Sequence, residues 1–244
     1  IYFLIFFLVI VSSIAFFNEC LDFNENARCG QSWHHSEQIA KNPSYIINSP
    51  DFGQLEPMHN IILGFIRMLP GNDRINLGII QAILFGIILV LLYKFTLNFG
   101  NSLFAFLVVF WTFTSYRFYG YIWNPNRDIW VFYFVTILFY FAYQYYKNKD
   151  LKYLIWFSVF SGIVLLTDMR YMAHIGLIWL LFMFVQSVKL IKKAKRGILV
   201  ILIIFIVIMP WIYRQYKVLN EWMFISKFRS ELFTKVFNKE DYSN

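Results

Sequence analysis

Runs of mainly apolar residues recur along this chain, and roughly 20 such residues are what an α-helix needs to cross the hydrocarbon core of a bilayer. Seven runs are readable, at residues 1–17, 75–97, 102–116, 129–146, 153–167, 172–188 and 198–211. Phe, Ile and Leu fill every helical face in them and strict period-two alternation is missing, which argues for helices and against an outer-membrane barrel. Of the 244 residues 59% are hydrophobic and only 15% charged, against about 25% charged in ordinary globular chains. So much apolar surface needs lipid as its solvent. The expected fold is an all-α integral membrane protein of about seven transmembrane helices, with a long first outer loop, residues 18–74, carrying short interfacial helices.

Charge sets the expected orientation. The short connections 94–101, 147–152 and 189–197 hold nine Lys or Arg against one acid, Asp150, and basic short loops face the cytoplasm. The other connections, 18–74, 117–128, 168–171 and 212–244, hold thirteen basic and thirteen acidic residues. The net charge of +8 therefore belongs to the cytoplasmic side as a topology signal. Its basic loops meet anionic lipid headgroups, and nucleic-acid binding is rejected. Thirteen of the fourteen carboxylates fall on the outer face, so acid-dependent chemistry is expected there.

The chain opens at Ile1 inside an apolar run with no basic flank and no small-residue cleavage site after it. That run reads as a truncated first transmembrane helix and not as a signal peptide; residues 239–244 likewise read as cut from a longer protein. The expected organisation is a transmembrane catalytic module over 1–216 and an outer-face segment over 217–244. Within the first outer loop, residues 36–42 are suited to start a short helix. Residues 58–69 (MHNIILGFIRML) suit an interfacial one, before Pro70 and Gly71 turn the chain into the membrane.

HExxH, paired CxxC, P-loop and GxSxG patterns are all missing from the sequence, which removes support for zinc proteolysis, nucleotide hydrolysis and serine-hydrolase chemistry. Cys20 and Cys29 suit a disulfide in an oxidising compartment and equally suit two thiols. The outer-loop acids are Glu19, Asp22, Glu25, Glu37, Asp51, Glu56 and Asp73. A carboxylate at the membrane surface can act as general base on an acceptor or ligate a divalent ion. No residue pattern demands a metal. Arg117, Arg127, Arg170 and Arg214 lie near outer helix ends; snorkelling accounts for each singly, whereas four beside the acids suit a lipid phosphate. Asp128 fits either a favourable helix N-terminal charge or a catalytic or metal-binding role. His34, His35 and His59 read as loop histidines, His174 as a packed polar residue inside the bundle, and Trp123, Trp130, Trp211 and Trp222 as an interfacial belt.

Four short elements carry a resemblance. They are NENAR at 24–28, EPMH at 56–59, WNPN at 123–126 and PWIYR at 210–214. In this order and spacing, across roughly 17–216, they resemble the polytopic membrane glycosyltransferases of the GT-C superfamily (glycosyltransferase family 39), the group of protein O-mannosyltransferases and aminoarabinose transferases. NENAR is similar to a DExAR-like stretch after the first helix, EPMH to a PPLY or GPLY element, WNPN to one that opens a later helix, and PWIYR to a PWxxR helix ending.

The resemblance implies transfer of a hexose or pentose from a polyprenyl-phosphate-sugar donor to a lipid, glycan or protein acceptor. It places that reaction on the outer face of a bacterial or archaeal plasma membrane. Glu25, Asp22 and Asp128 are then the expected catalytic acids, Arg170, Arg214 and Arg127 the donor-phosphate ligands, and Asn124, Glu56 and Tyr171 the substrate contacts. No cofactor is called for beyond an optional divalent metal ion. Two departures stand out: Asn24 replaces an Asp, and an amide cannot accept a proton, so Glu25 or Asp22 takes over or activity is altered or lost; Arg170–Tyr171 replaces a His–Tyr pair. The rival readings are a transporter or flippase for a lipid-linked substrate, which calls for midplane charges, and an inactive remnant of the family.

Overall fold

The computed structural model describes residues 27–50, 52, 57–114, 127–185 and 190–220. The span expected at 1–17 and the side chains of Cys20 and Cys29 lie outside what is described. Among the described residues all regular structure is helical: α1 (Ala27–Lys41), α2 (Tyr45–Asn48), α3 (Pro57–Arg67), α4 (Asp73–Thr96), α5 (Ser102–Thr114), α6 (Arg127–Asn148), α7 (Leu151–Thr167), a 3-10 turn (Met169–Tyr171), α8 (Met172–Val185) and α9 (Leu190–Leu219). Three of these, α4, α6 and α9, are long and apolar enough to cross a membrane, while α5 and α7 are shorter apolar helices.

Local chemistry sets the boundaries. Gly71 takes φ +110°, a conformation that costs a side chain, and turns the chain into α4. The Asn72 side chain then accepts from the backbone N–H groups of Arg74 and Ile75, satisfying two of the donors a helix start leaves open. At the other end of the bundle Lys149 closes α6 at φ 58°, and Asp150 caps α7 by accepting from Lys152 N. Lys147 Nζ reaches Asn98 Oδ1 at 3.5 Å and the Arg196 guanidinium lies 5.6 Å from the Tyr145 ring centroid, so the end of α6 meets both the connection after α4 and the start of α9.

α7 is the central helix, contacting α6, α9 and α3. Its buried face includes Leu154, Ser158, Ser161, Gly162 and Leu165. Both serine hydroxyls donate back to carbonyls of their own helix, Leu154 and Phe157, so the face is small and internally satisfied. Lipid is as apolar as a protein interior, and close van der Waals approach of small residues is what holds such helices together. A hydrogen bond from Tyr133 Oη to Gln81 O, 2.8 Å long and buried, ties α6 to α4. Facing outward, Ile79, Ile83 and Ile87 on α4 and Leu103, Phe106 and Phe110 on α5 are exposed, an arrangement suited to lipid and costly in water.

The helices before α4 dock on this bundle: α1 packs on α3, and α3 on α4 and α7. α3 falls where a short helix is expected at 58–69, with Leu63 and Ile66 buried and Phe65 exposed. α1 begins at Ala27, well before the start expected at residue 36. α9 begins at Leu190 and ends at Leu219, so the basic stretch 189–197 is largely helical and not a loop, and the span expected at 198–211 lies inside a 30-residue helix. Lys and Arg are good helix formers; the end of an apolar run is not the end of a helix. Trp130 and Trp211, expected in a belt, are 2% and 6% exposed and belong to the core. His174, expected inside the bundle, is exposed, its ring 5.4 Å from that of Tyr171.

Candidate active site

Where α7 ends, the chain leaves the helix through Asp168, whose backbone is extended and whose N–H bonds the Val164 carbonyl. The side chain of Asp168 is wholly buried although it sits at a helix end. Three groups converge on it. The Arg170 backbone N–H donates to Oδ1 at 3.0 Å, which closes the 3-10 turn. The Arg170 guanidinium approaches side-on, Nε 3.0 Å from both carboxylate oxygens and Nη2 2.6 Å from Oδ2. From the first turn of α6, Arg127 Nη2 comes within 3.5 Å of the same Oδ2. One carboxylate thus gathers two guanidiniums from different elements.

Burial pushes the Asp168 carboxyl up, but the Arg170 hydrogen bonds and the charges of Arg127 and Arg170 outweigh it and hold the group below its ordinary 3.8. A carboxyl depressed in the folded state contributes stability that is present above the unfolded value and lost as pH falls through the folded one. Thermal unfolding in detergent between pH 7 and pH 2 is therefore expected to show an acid loss, setting in below about pH 4, that Asp168→Asn lacks. Identical acid profiles for the two proteins would refute this.

Arg214 is placed differently. It lies in α9, 7% exposed, with Nε donating to Ile46 O at 2.9 Å, Nη2 to Ser49 O, and Nη1 to Gln215 Oε1 at 2.8 Å. Its guanidinium sits over Trp211 and Phe52, 5.0 and 5.8 Å from the ring centroids, and it lines a groove of about 720 Å³ between the α2 segment and α9. Arg67 does the corresponding work between α1, α3 and α4, bonding Asp73 Oδ2 and Trp33 O at 2.8 Å each.

Of the residues singled out in the sequence, Arg127 and Arg170 are brought together, and Tyr171 follows directly in the same turn, half-buried. Asp128 is exposed in the first turn of α6. Glu25, Asp22, Glu56 and Asn124 lie outside the described residues. Among the described residues no group of three or more His, Cys, Asp or Glu side chains is placed to hold a metal ion. His35 Nδ1 lies 2.9 Å from Tyr45 Oη, a packing contact between α1 and α2. Asp168 itself was not singled out: its signal was an acid set immediately after an apolar run, two residues before an arginine.

A family model described as dolichyl-phosphate-mannose-protein mannosyltransferase matches residues 50–213. That interval holds α3 to α8 and the Arg127–Asp168–Arg170 cluster, and stops before Arg214. The chain has no significant match among curated proteins or solved structures.

Proposed function

Since this chain belongs to the dolichyl-phosphate-mannose-protein mannosyltransferase family, and so to the membrane glycosyltransferases of GT-C type, we propose that it moves a sugar from a polyprenyl-phosphate-linked donor to an acceptor on the extracytoplasmic face. The observation that carries this reading is the cationic cluster at the ends of α6 and α7. A lipid phosphate needs a positive contact close to the headgroup plane, and two guanidiniums gathered at helix ends, those of Arg127 and Arg170, support this reading.

In the reaction the acceptor heteroatom attacks the anomeric carbon, and a new bond to that carbon forms. The bond from the anomeric carbon to the phosphate oxygen breaks, its electron pair leaving with the polyprenyl phosphate, and the configuration at carbon inverts. The acceptor's proton passes to a carboxylate, Glu25 or Asp22, with Asp128 assisting. The donor is a phosphodiester with one negative charge and the leaving group gains a second, so arginine contacts strengthen as the reaction proceeds. Within the long apolar helices α4, α6 and α9 charged side chains keep to the first and last two turns and the midsections are apolar, which favours surface chemistry over a translocation path.

Membranes carrying the protein are expected to transfer labelled sugar from a polyprenyl-phosphate-sugar. Loss of a general base costs on the order of a hundredfold, and that is the fall expected for Glu25→Gln, Asp22→Asn or the pair. Transfer that survives all three variants intact would discard the assignment of the base, and no transfer by the unaltered protein would discard the activity.

A further inference from the structure

We propose that Asp168 is a positioning residue: buried where α7 ends, it draws the guanidiniums of Arg127 and Arg170 to one point, so that the two act on one phosphate group. The inference rests on the donor reading above and deepens it. Arg127 comes from α6 and Arg170 from the turn after α7; two cations so placed repel unless an anion lies between them. Asp168 Oδ2 is that anion, 2.6 Å from one guanidinium and 3.5 Å from the other.

Geometry gives the carboxylate more than a neutralising role. Arg170 meets it along the Nε–Nη2 edge, which fixes the plane of the guanidinium and the direction of its Nη1 edge. The backbone bond from Arg170 N to Oδ1 fixes the chain that carries that side chain. Asp168 is wholly shielded while the Arg170 and Arg127 side chains are 69% and 27% exposed. The anchor is therefore out of reach and the cations are presented outward. Two guanidiniums held at one point, one of them largely exposed, suit a phosphate of a lipid headgroup.

A purely structural role, capping the 3-10 turn, is the rival, and it predicts loss of stability without selective loss of phosphate recognition. The full chain in phosphatidylcholine nanodiscs separates the two. Binding of polyprenyl monophosphate is compared with that of uncharged polyprenol, alongside kcat and the acceptor KM for labelled sugar transfer. For Asp168→Asn the expected result is about tenfold weaker binding of the phosphate, unchanged binding of the polyprenol, and a fall in kcat with acceptor KM unchanged. Asp168→Glu, which keeps the charge, is expected to recover most of the binding. Arg170→Gln is expected to add less than about threefold to Asp168→Asn, because the positioned guanidinium is already lost.

Should Asp168→Asn fail to fold, Arg127→Gln, Arg170→Gln and their combination carry the test. One shared phosphate predicts that the double variant binds little worse than either single one. Additive losses in either cycle, or phosphate binding by Asp168→Asn equal to that of the unaltered protein, overturn the inference. An unaltered chain that transfers no sugar yet binds the phosphate in an Asp168-dependent way supports the site and removes the catalytic reading. Transfer and phosphate binding that both survive Asp168→Asn leave the catalytic reading and remove the site.

Discussion

Arg214→Ala is expected to lower the stability of the protein by about 2–4 kcal/mol, through the loss of charge-assisted hydrogen bonds to acceptors that it leaves unsatisfied, and to loosen residues 42–50 from the end of α9. The guanidinium joins α9 to the carbonyls of Ile46 and Ser49, 168 and 165 residues away in sequence. Hydrogen bonds from a charged donor contribute roughly 1.5–3 kcal/mol each, and truncation leaves both carbonyls and Gln215 Oε1 short of a donor. The aromatic walls, Trp211 and Phe52, lose the cation between them as well. Arg214→Lys should recover less than half of the loss, since an ammonium cannot reproduce a planar fork that serves separate acceptors. Denaturant unfolding in detergent gives the magnitude, and limited proteolysis within 42–50 gives the place. A normally stable Arg214→Ala protein with reduced sugar transfer would instead assign Arg214 to the donor phosphate.

The second large effect is expected at Gly162, where α7 meets α9. A Cβ built there falls 2.7 Å from Val207 Cγ1 and 2.8 Å from Val207 Cβ, closer than atoms can sit without movement. Val207 is branched at that carbon and cannot swing clear by a distal rotation. Gly162→Leu therefore pushes the helices apart, and overpacking of this kind costs about 1–3 kcal/mol or more. We expect the upper end, about 3 kcal/mol, because α7 is wedged between α6 and α9; the helix-propensity gain of removing a glycine, about 1 kcal/mol, offsets only part of it. Val207→Ala should be mildly destabilising alone and should return part of the loss in the Gly162→Leu background. Additive effects of the two changes would show that the contact is not the cause.

What could be read ahead of the structure was whatever depends on local pattern. α4 and α7 lie within two residues of the spans expected at 75–97 and 153–167, because their apolar runs are bounded by Asn72 and Asp150, side chains that cap. α1 was only partly legible: its 15 residues show little apolar periodicity, and its position comes from Ile39 against Gly64 and from Arg67 bonding Trp33 O. Trp130 was misjudged for a similar reason. An aromatic residue near a helix end reads as a belt residue until its neighbours are known, and here the T-shaped contact with Tyr133 at 5.9 Å and the surrounding core bury it.

The candidate site divides along the same line. Arg127 and Arg170 were legible as cations beside helix ends, a property of the sequence around each. Asp168 was not, because its meaning depends on Arg127, which lies on a different helix and reaches it only in the folded chain. By itself an acid after an apolar run is an ordinary turn residue. The sequence held the three side chains, and tertiary structure supplied their relation.

The length of α7 has a consequence for the lipid around it. Seventeen residues at about 1.5 Å each make a cylinder about 25 Å long, against a hydrocarbon slab about 30 Å thick. A rod too short for its membrane draws the two leaflets toward each other nearby. Were α7 to cross the bilayer with Asp150 and Lys152 in water at one tip, the opposite leaflet would sag toward Asp168, and the polar layer of the lipids would sink with it. On the proposed donor, a prenyl-linked headgroup would then settle to the depth of the arginines while its tail stayed in oil, and the thinning of the bilayer, not an upward reach of the protein, would set where the two meet.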